Sequence, residues 1–206
     1  MIQPNQIFSI IVLLFSVVIH EISHGWAALK LGDDTAEKMG RLTLNPLPHL
    51  DLFGSVLLPL LLIISRAGII FGWAKPVPYN PLKLKNPLRD SALLALAGPA
   101  ANFSLALVFG LLMRIGTHFT LWLPFLSFLG VIVQINLILA IFNLLPIPPL
   151  DGSKILFYFF PSPKLEIFLY QYSFIILLVF IMFGWNLIYP LIKGLFLILT
   201  GFHLGL

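Results

Sequence analysis

The sequence predicts an all-α polytopic membrane protein, with five to six membrane helical segments and short β-like extended pieces in the loops between the first spans. Three observations carry this expectation. Of 206 residues, 59% are hydrophobic and only 10% are charged, and the mean hydropathy is +1.02. A soluble domain keeps roughly 25% charged residues because its surface must face water. The apolar residues also gather into runs of about twenty or more, the length a helix needs to cross ~30 Å of hydrocarbon. Prolines and basic residues collect between those runs.

The elements follow in order. Run one covers residues 7–30 and ends at Lys30-Leu31-Gly32, where glycine suits a helix C-cap. Residues 1–6 carry no Lys or Arg and no small-residue cleavage site follows, so a permanent first span is expected rather than a removed leader. Residues 33–51 are polar and turn-rich, with Arg41-Leu-Thr-Leu-Asn45 alternating as a short strand would. Run two, residues 52–71, is interrupted by Pro59 and Arg66. Residues 72–90 hold four prolines and four basic residues (Lys75, Lys83, Lys85, Arg89), a loop in which Trp73–Tyr79 is a second candidate extended piece. Run three covers 91–113 and run four 121–145. Pro146, Pro148 and Pro149 must then break the helix before Asp151-Gly152. Residues 153–166 read as a loop, and 167–204 as two tight spans divided near Trp185–Pro190. The whole chain, 1–206, is expected to be one integral-membrane domain, with its core motifs in 20–152 and a C-terminal helical hairpin in 153–206.

The net charge of +4 is small and scattered among apolar runs, which excludes a nucleic-acid partner. The chain has no cysteine, so disulfides and thiolate metal sites are excluded as well. Any metal must be held by His, Asp or Glu.

The chemistry lies in His20-Glu21-Ile22-Ser23-His24. Positions i and i+4 share one helix face, so both imidazoles can bind one ion. Glu21 sits one position along, within reach of the water that such a metal activates, without being a ligand. With five His and three Glu in the chain, chance produces this pattern on the order of once in several hundred such sequences. Its place inside an apolar run sharpens the reading, because ionisable groups there are costly and functional by default.

A catalytic zinc usually has three protein ligands and one open position. The remaining candidates are His49, Asp51, Asp90, His118, Asp151, Glu166 and His203. Asp151 is preferred because it follows a span whose proline-rich end unwinds the backbone near the membrane, with His49 and Asp51 as runners-up. An Asp that merely caps the turn before Gly152 is also common.

Three motifs, His20-Glu-x-x-His24, Ala97-Gly98-Pro99-Ala-Ala-Asn102 and Asn143-Leu-Leu-Pro146 leading to Leu150-Asp151-Gly152, stand in this order. Together they closely resemble the site-2 protease family of intramembrane zinc metalloproteases. The resemblance implies that Asp151 is the third ligand of one zinc ion, with His20 and His24, and that Asn102 and Asn143 line the active site as substrate-binding or supporting groups. It is a resemblance to the short members, without a PDZ or nucleotide-sensing domain. It also implies a membrane-embedded substrate and a hydrolase that cuts transmembrane segments in regulated intramembrane proteolysis. Packing alone would account for Gly98 and Pro99.

Two arguments bear on topology. His20 lies about 13 residues, roughly 20 Å, into its helix, and it can share a metal with Asp151 only if runs one and four point the same way. An odd number of crossings between them is then required, which makes run two the expected exception. If run two does not cross, the twelve Lys and Arg divide 10 to 2, with only Arg114 and Lys193 on the minority side. The positive-inside rule then places the N-terminus outside and the site toward the cytoplasm, in what is expected to be a prokaryotic cell membrane. A membrane metal-ion transporter and an inactive membrane scaffold are the rival functions. Transport normally needs ionisable relays across the bilayer, whereas the runs outside the His pair hold mainly neutral Asn102, Gln134, Asn136, Asn143 and Gln171. An intact Glu21 speaks against a scaffold.

Overall fold

The computed structural model describes residues 4–57, 61 and 74–204. Its helices are α1 (Pro4–Lys30), α2 (Thr35–Lys38), α3 (Pro87–Gly116), α4 (Leu126–Asn143), α5 (Asp151–Phe159), α6 (Pro163–Val179) and α7 (Trp185–Thr200), with a π-helical turn at Phe180–Gly184 between the last two. Among the described residues, four stretches are long and apolar enough to cross a bilayer: Ile7–Lys30, Pro87–Gly116, Trp122–Asn143 and Pro163–Thr200. Most of run two, including Pro59 and Arg66, lies outside the described residues, as does Trp73.

Helix α3 is the central element and packs on α1, α4, α5 and α7. Its sequence shows why. Ala92, Ala95, Gly98, Ala106, Gly110 and Gly116 are all buried, and in lipid, where apolar side chains gain little by leaving their solvent, small residues let helices pack closely. A methyl group on Gly110 would stand 2.9 Å from the Leu199 Cβ of α7. Ala106, Val133, Leu137, Ile188, Ile192, Phe196 and Leu199 form the apolar core of α3, α4 and α7. The start of α3 is fixed by Pro87 at its first position and by Asp90, whose carboxylate accepts the Asn86 N–H at 2.9 Å.

Side-chain pairs give the helix directions. Phe8 stacks edge-on against Phe128 at 4.8 Å between ring centres, and Asn136 donates to Ser16 Oγ at 2.9 Å, so α1 and α4 run parallel. His24 meets the Leu94 carbonyl while Ser16 and His20 meet Asn102, so α3 runs antiparallel to α1. The C-terminal end of α1 and the N-terminal end of α3 therefore lie together, as the depth argument requires.

The expected extended pieces are not strands. Residues 42–44 form bends and 74–80 run without regular structure, and the described residues contain no strand. Pro76 and Pro78 remove two of the N–H groups a ladder would need. The two segments are joined through other groups: Arg41 donates to the Lys75 and Pro76 carbonyls at 2.8 and 3.3 Å, the Lys75 N–H donates to the His49 carbonyl at 2.9 Å, and the Asn80 N–H to Asp33 at 2.6 Å.

Two further expectations change. Residues 153–159, read as part of a loop, belong to the helix Asp151–Phe159, with Phe157 buried and the Lys154 ammonium 5.0 Å from the centre of the Tyr79 ring. Residues 163–200 are one continuous helical stretch of 38 residues, where a hairpin was expected. Val179, Phe180, Gly184 and Trp185 all keep right-handed helical backbone angles. The wider π turn absorbs the irregularity ahead of Pro190, so the chain does not reverse.

Candidate metal centre

His20 and His24 project from one face of α1, one turn apart, with their rings 4.6 Å apart and nearly perpendicular. Facing them is a stripe of α3 at four-residue spacing: Leu94, Gly98 and Asn102. Each member has its own part. The His24 Nδ1–H donates to the Leu94 carbonyl at 2.8 Å, and the His20 Nδ1–H donates to Asn102 Oδ1 at 2.6 Å. Gly98 leaves the space between them. A Cβ there would stand 2.5 Å from His24 Nε2 and 2.6 Å from His20 Nε2.

With both Nδ1 atoms engaged as donors, each Nε2 presents a lone pair. The two Nε2 atoms are 3.0 Å apart, and each is 3.1 Å from Asp151 Oδ2. Asp151 reaches them from the first turn of α5, just after the proline-rich turn. Gly152 permits this approach, because a Cβ on it would meet the Leu144 and Leu145 carbonyls. All three side chains are buried, with relative exposures of 5% for His20, 8% for His24 and 7% for Asp151.

Three electron-rich atoms converging in a buried site call for a cation. Tetrahedral zinc bonds nitrogen and oxygen at ~2.0–2.2 Å, which sets its ligand atoms about 3.3 Å apart. The observed triangle is close to that spacing, and engaged outer nitrogens are the usual support for metal-binding imidazoles. The donor set fits zinc.

Glu21 stays out of this triangle. Its Oε2 accepts the Val77 N–H at 2.8 Å, so segment 74–80 lies against the carboxylate next to the His pair. Of the two asparagines, Asn102 supports His20 directly, whereas Asn143 bonds back to Leu139 of its own helix at 2.9 Å. Neither runner-up joins the group. His49 is buried with Nε2 directed at the Thr43 carbonyl, 3.0 Å away, and Asp51 accepts the Gly54 N–H at 2.6 Å. Asp90 caps α3, while His118, Glu166 and His203 are exposed.

Sequence reading missed five contributors. Gly98 was legible as a packing residue, but its place opposite the imidazoles depends on helix register. The Leu94 carbonyl and the Val77 N–H are backbone groups and carry no residue signal. Ser16 and Asn136, buried beside Asn102, had one: a polar side chain within an apolar run.

The model of peptidase family M50 matches residues 8–121 and 113–182. YwhC of Bacillus subtilis (strain 168), named as a candidate zinc metalloprotease, is 43% identical over 155 residues, covering 72% of this chain and 67% of the relative. Rip2 of Mycolicibacterium smegmatis, named in the same way, is 39% identical over 145 residues, covering 68% of this chain. MJ0611 of Methanocaldococcus jannaschii, also so named, is 46% identical over 69 residues, 32% of this chain. The chain spans about two thirds of the length of YwhC and about half that of Rip2. No solved structure gives a significant match. A family match running through the His pair, the α3 stripe and Asp151, joined to this extent of identity, makes the chain a member of peptidase family M50.

Proposed function

We propose that this chain is a zinc-dependent intramembrane protease of the site-2 type, which cuts membrane-spanning segments of other proteins. One observation carries the reading. Three buried acceptor atoms from α1 and α5 stand 3.0–3.1 Å apart with no donor among them, while the outer nitrogen of each imidazole is already bonded. His20, His24 and Asp151 would hold one zinc ion. When bound there, zinc supplies Lewis acidity that polarises a peptide carbonyl and lowers the pKa of water to about 7.

The chain's own residues do the rest. Glu21 takes the proton of the attacking water and returns it to the leaving amine. The bond between Val77 N–H and Glu21 Oε2 fixes one carboxylate oxygen and leaves the other for that proton. Asn102 holds the His20 ring, and the role assigned to Asn143, at the end of α4, is to offer its amide to an unwound peptide. A peptide bond inside a substrate helix is shielded, so the substrate must unwind before it reaches this group.

The 206 residues act as a single membrane-embedded domain, with the N-terminus outside and the site toward the cytoplasm of a prokaryotic cell. The division of basic residues supports this orientation. Transport is less well supported, since among the described residues only one cluster of three His, Asp or Glu side chains converges. The test uses purified protein in detergent with a model transmembrane substrate. Cleavage within the span is expected, and it should stop with a chelator and return with zinc. Cleavage that persists in chelator would overturn the reading.

A further inference from the structure

We infer that Asn136 is a positioning residue that, through Asn102, selects the metal-binding tautomer of His20; the inference rests on the reading of His20 as a ligand. Asn136 sits in the middle of α4, within a mostly apolar stretch, and is fully buried. A polar amide so placed in a membrane helix requires partners, and it has three. Its Nδ2 donates to the Ile132 carbonyl and to Ser16 Oγ, both at 2.9 Å. Its Oδ1 accepts from Asn102 Nδ2 at 2.8 Å. The other Asn102 Nδ2 hydrogen goes to the Ser16 carbonyl at 3.2 Å, and Asn102 Oδ1 is left for His20 Nδ1 at 2.6 Å.

The direction of this chain of bonds is not free. An amide can be turned end for end when its partners are hydroxyls or other amides, but a backbone carbonyl only accepts. The Ile132 carbonyl forces the NH2 end of Asn136 toward itself and so turns Oδ1 toward Asn102. The Ser16 carbonyl and Asn136 Oδ1 together take both hydrogens of the Asn102 NH2 group. Asn102 must then offer oxygen to His20, so the His20 proton stays on Nδ1 and the Nε2 lone pair faces His24 and Asp151. Were Asn102 to turn over, its NH2 would face Nδ1 and the proton would move to Nε2, where it blocks coordination. His24 needs no such relay, because it is bonded directly to the Leu94 carbonyl.

The test uses the full chain in detergent micelles. Zinc affinity is measured by competition with a chelator, and the His20 tautomer by 15N NMR on histidine-labelled, zinc-free protein. Asn136→Leu, of similar size, should weaken zinc binding about tenfold. It should also turn His20 from a single Nδ1–H form into a mixture, while the unfolding temperature of the zinc-free protein changes little. If Asn136→Leu does not fold, the smaller Asn136→Ala carries the same expectation. Ser16→Ala leaves the Ile132 bond in place and should keep zinc affinity within about twofold. Unchanged zinc affinity in a folded Asn136 variant overturns the inference. So does weaker zinc binding with the His20 tautomer unchanged, since that makes Asn136 a packing residue. Native protein that binds no zinc would overturn the metal reading instead, and the tautomer of zinc-free protein would still decide the role of Asn136.

Discussion

Glu21 and Asp151 are both carboxylates beside the same His pair, and their surroundings separate them. Asp151 Oδ2 is 3.1 Å from each Nε2, whereas Glu21 Oε2 is bonded to the Val77 N–H. Glu21→Gln keeps the side chain's size and its ability to accept from Val77 but cannot take a proton. Cleavage should fall by about a hundredfold or more, the usual contribution of a general base, with zinc still bound at one per chain by metal analysis. Loss of zinc in that variant would make Glu21 a ligand and sink the assignment. Asp151→Asn should weaken zinc on the order of a hundredfold, the upper end of what even a supporting residue costs. His49→Ala and Asp51→Asn should leave the zinc content unchanged, because His49 bonds within its own loop and Asp51 caps the turn that follows it. Zinc lost on His49→Ala and kept on Asp151→Asn would reverse the choice of third ligand. At this scale the sequence was most informative: the i, i+4 spacing named the His pair and the intervening Glu outright, whereas Asp151 was preferred among seven candidates from its place after the proline-rich turn, and the motif order strengthened that choice.

The element that decides the site's geometry is α3. Its Leu94, Gly98 and Asn102 stripe meets the His20 and His24 face of α1 in register, with a carbonyl, a gap and an amide each opposite the group that needs it. Gly98→Ala tests this register. The added Cβ would fall 2.5–2.6 Å from the imidazoles, well inside van der Waals contact, and the rings are tied to the same helix on either side. The site should lose at least tenfold in zinc affinity. Gly110→Ala is the contrasting case. It crowds Leu199 at the core, 2.9 Å away, and should lower the unfolding temperature without altering zinc content, since it lies three turns from the site. Equal zinc binding by Gly98→Ala and native protein would mean that the two helices do not approach as described. The sequence showed Gly98 as a small residue fit for close packing. Which side chains it makes room for depends on the rotation of α3 against α1, and no local pattern encodes that.

At the scale of the whole molecule, the parallel course of α1 and α4 and the antiparallel course of α3 bring the chain back at Pro87 to the side it left at Lys30. The bonds from Asn80 to Asp33 and from Arg41 to Lys75 and Pro76 join the two loops on that side. Most of residues 52–71 lies outside the described residues, and the expectation that this segment makes no net crossing is a matter for experiment. A chain without native cysteine makes the test direct. Thr35→Cys and Tyr79→Cys should both react with a membrane-impermeant thiol reagent from the cytoplasmic face only. Labelling from opposite faces would mean that residues 52–71 span.

Composition and spacing by themselves pointed to a membrane protein, restricted the ligands of any metal to imidazole and carboxylate, and set His20 and His24 on one helix face with Glu21 beside them. These are properties of single helices or of the chain as a whole, set by hydropathy and by 3.6-residue periodicity. The tertiary structure decided the rest. It put Asp151 within 3.1 Å of both imidazoles, joined Ser16, Asn102 and Asn136 behind His20, laid Val77 on Glu21, and kept residues 163–200 as one helical stretch where a hairpin was expected. Each depends on how helices distant in sequence are rotated and shifted against one another. That is fixed by the fit of small residues such as Gly98 and Gly110 against particular neighbours and by the pairing of polar groups that lipid cannot satisfy.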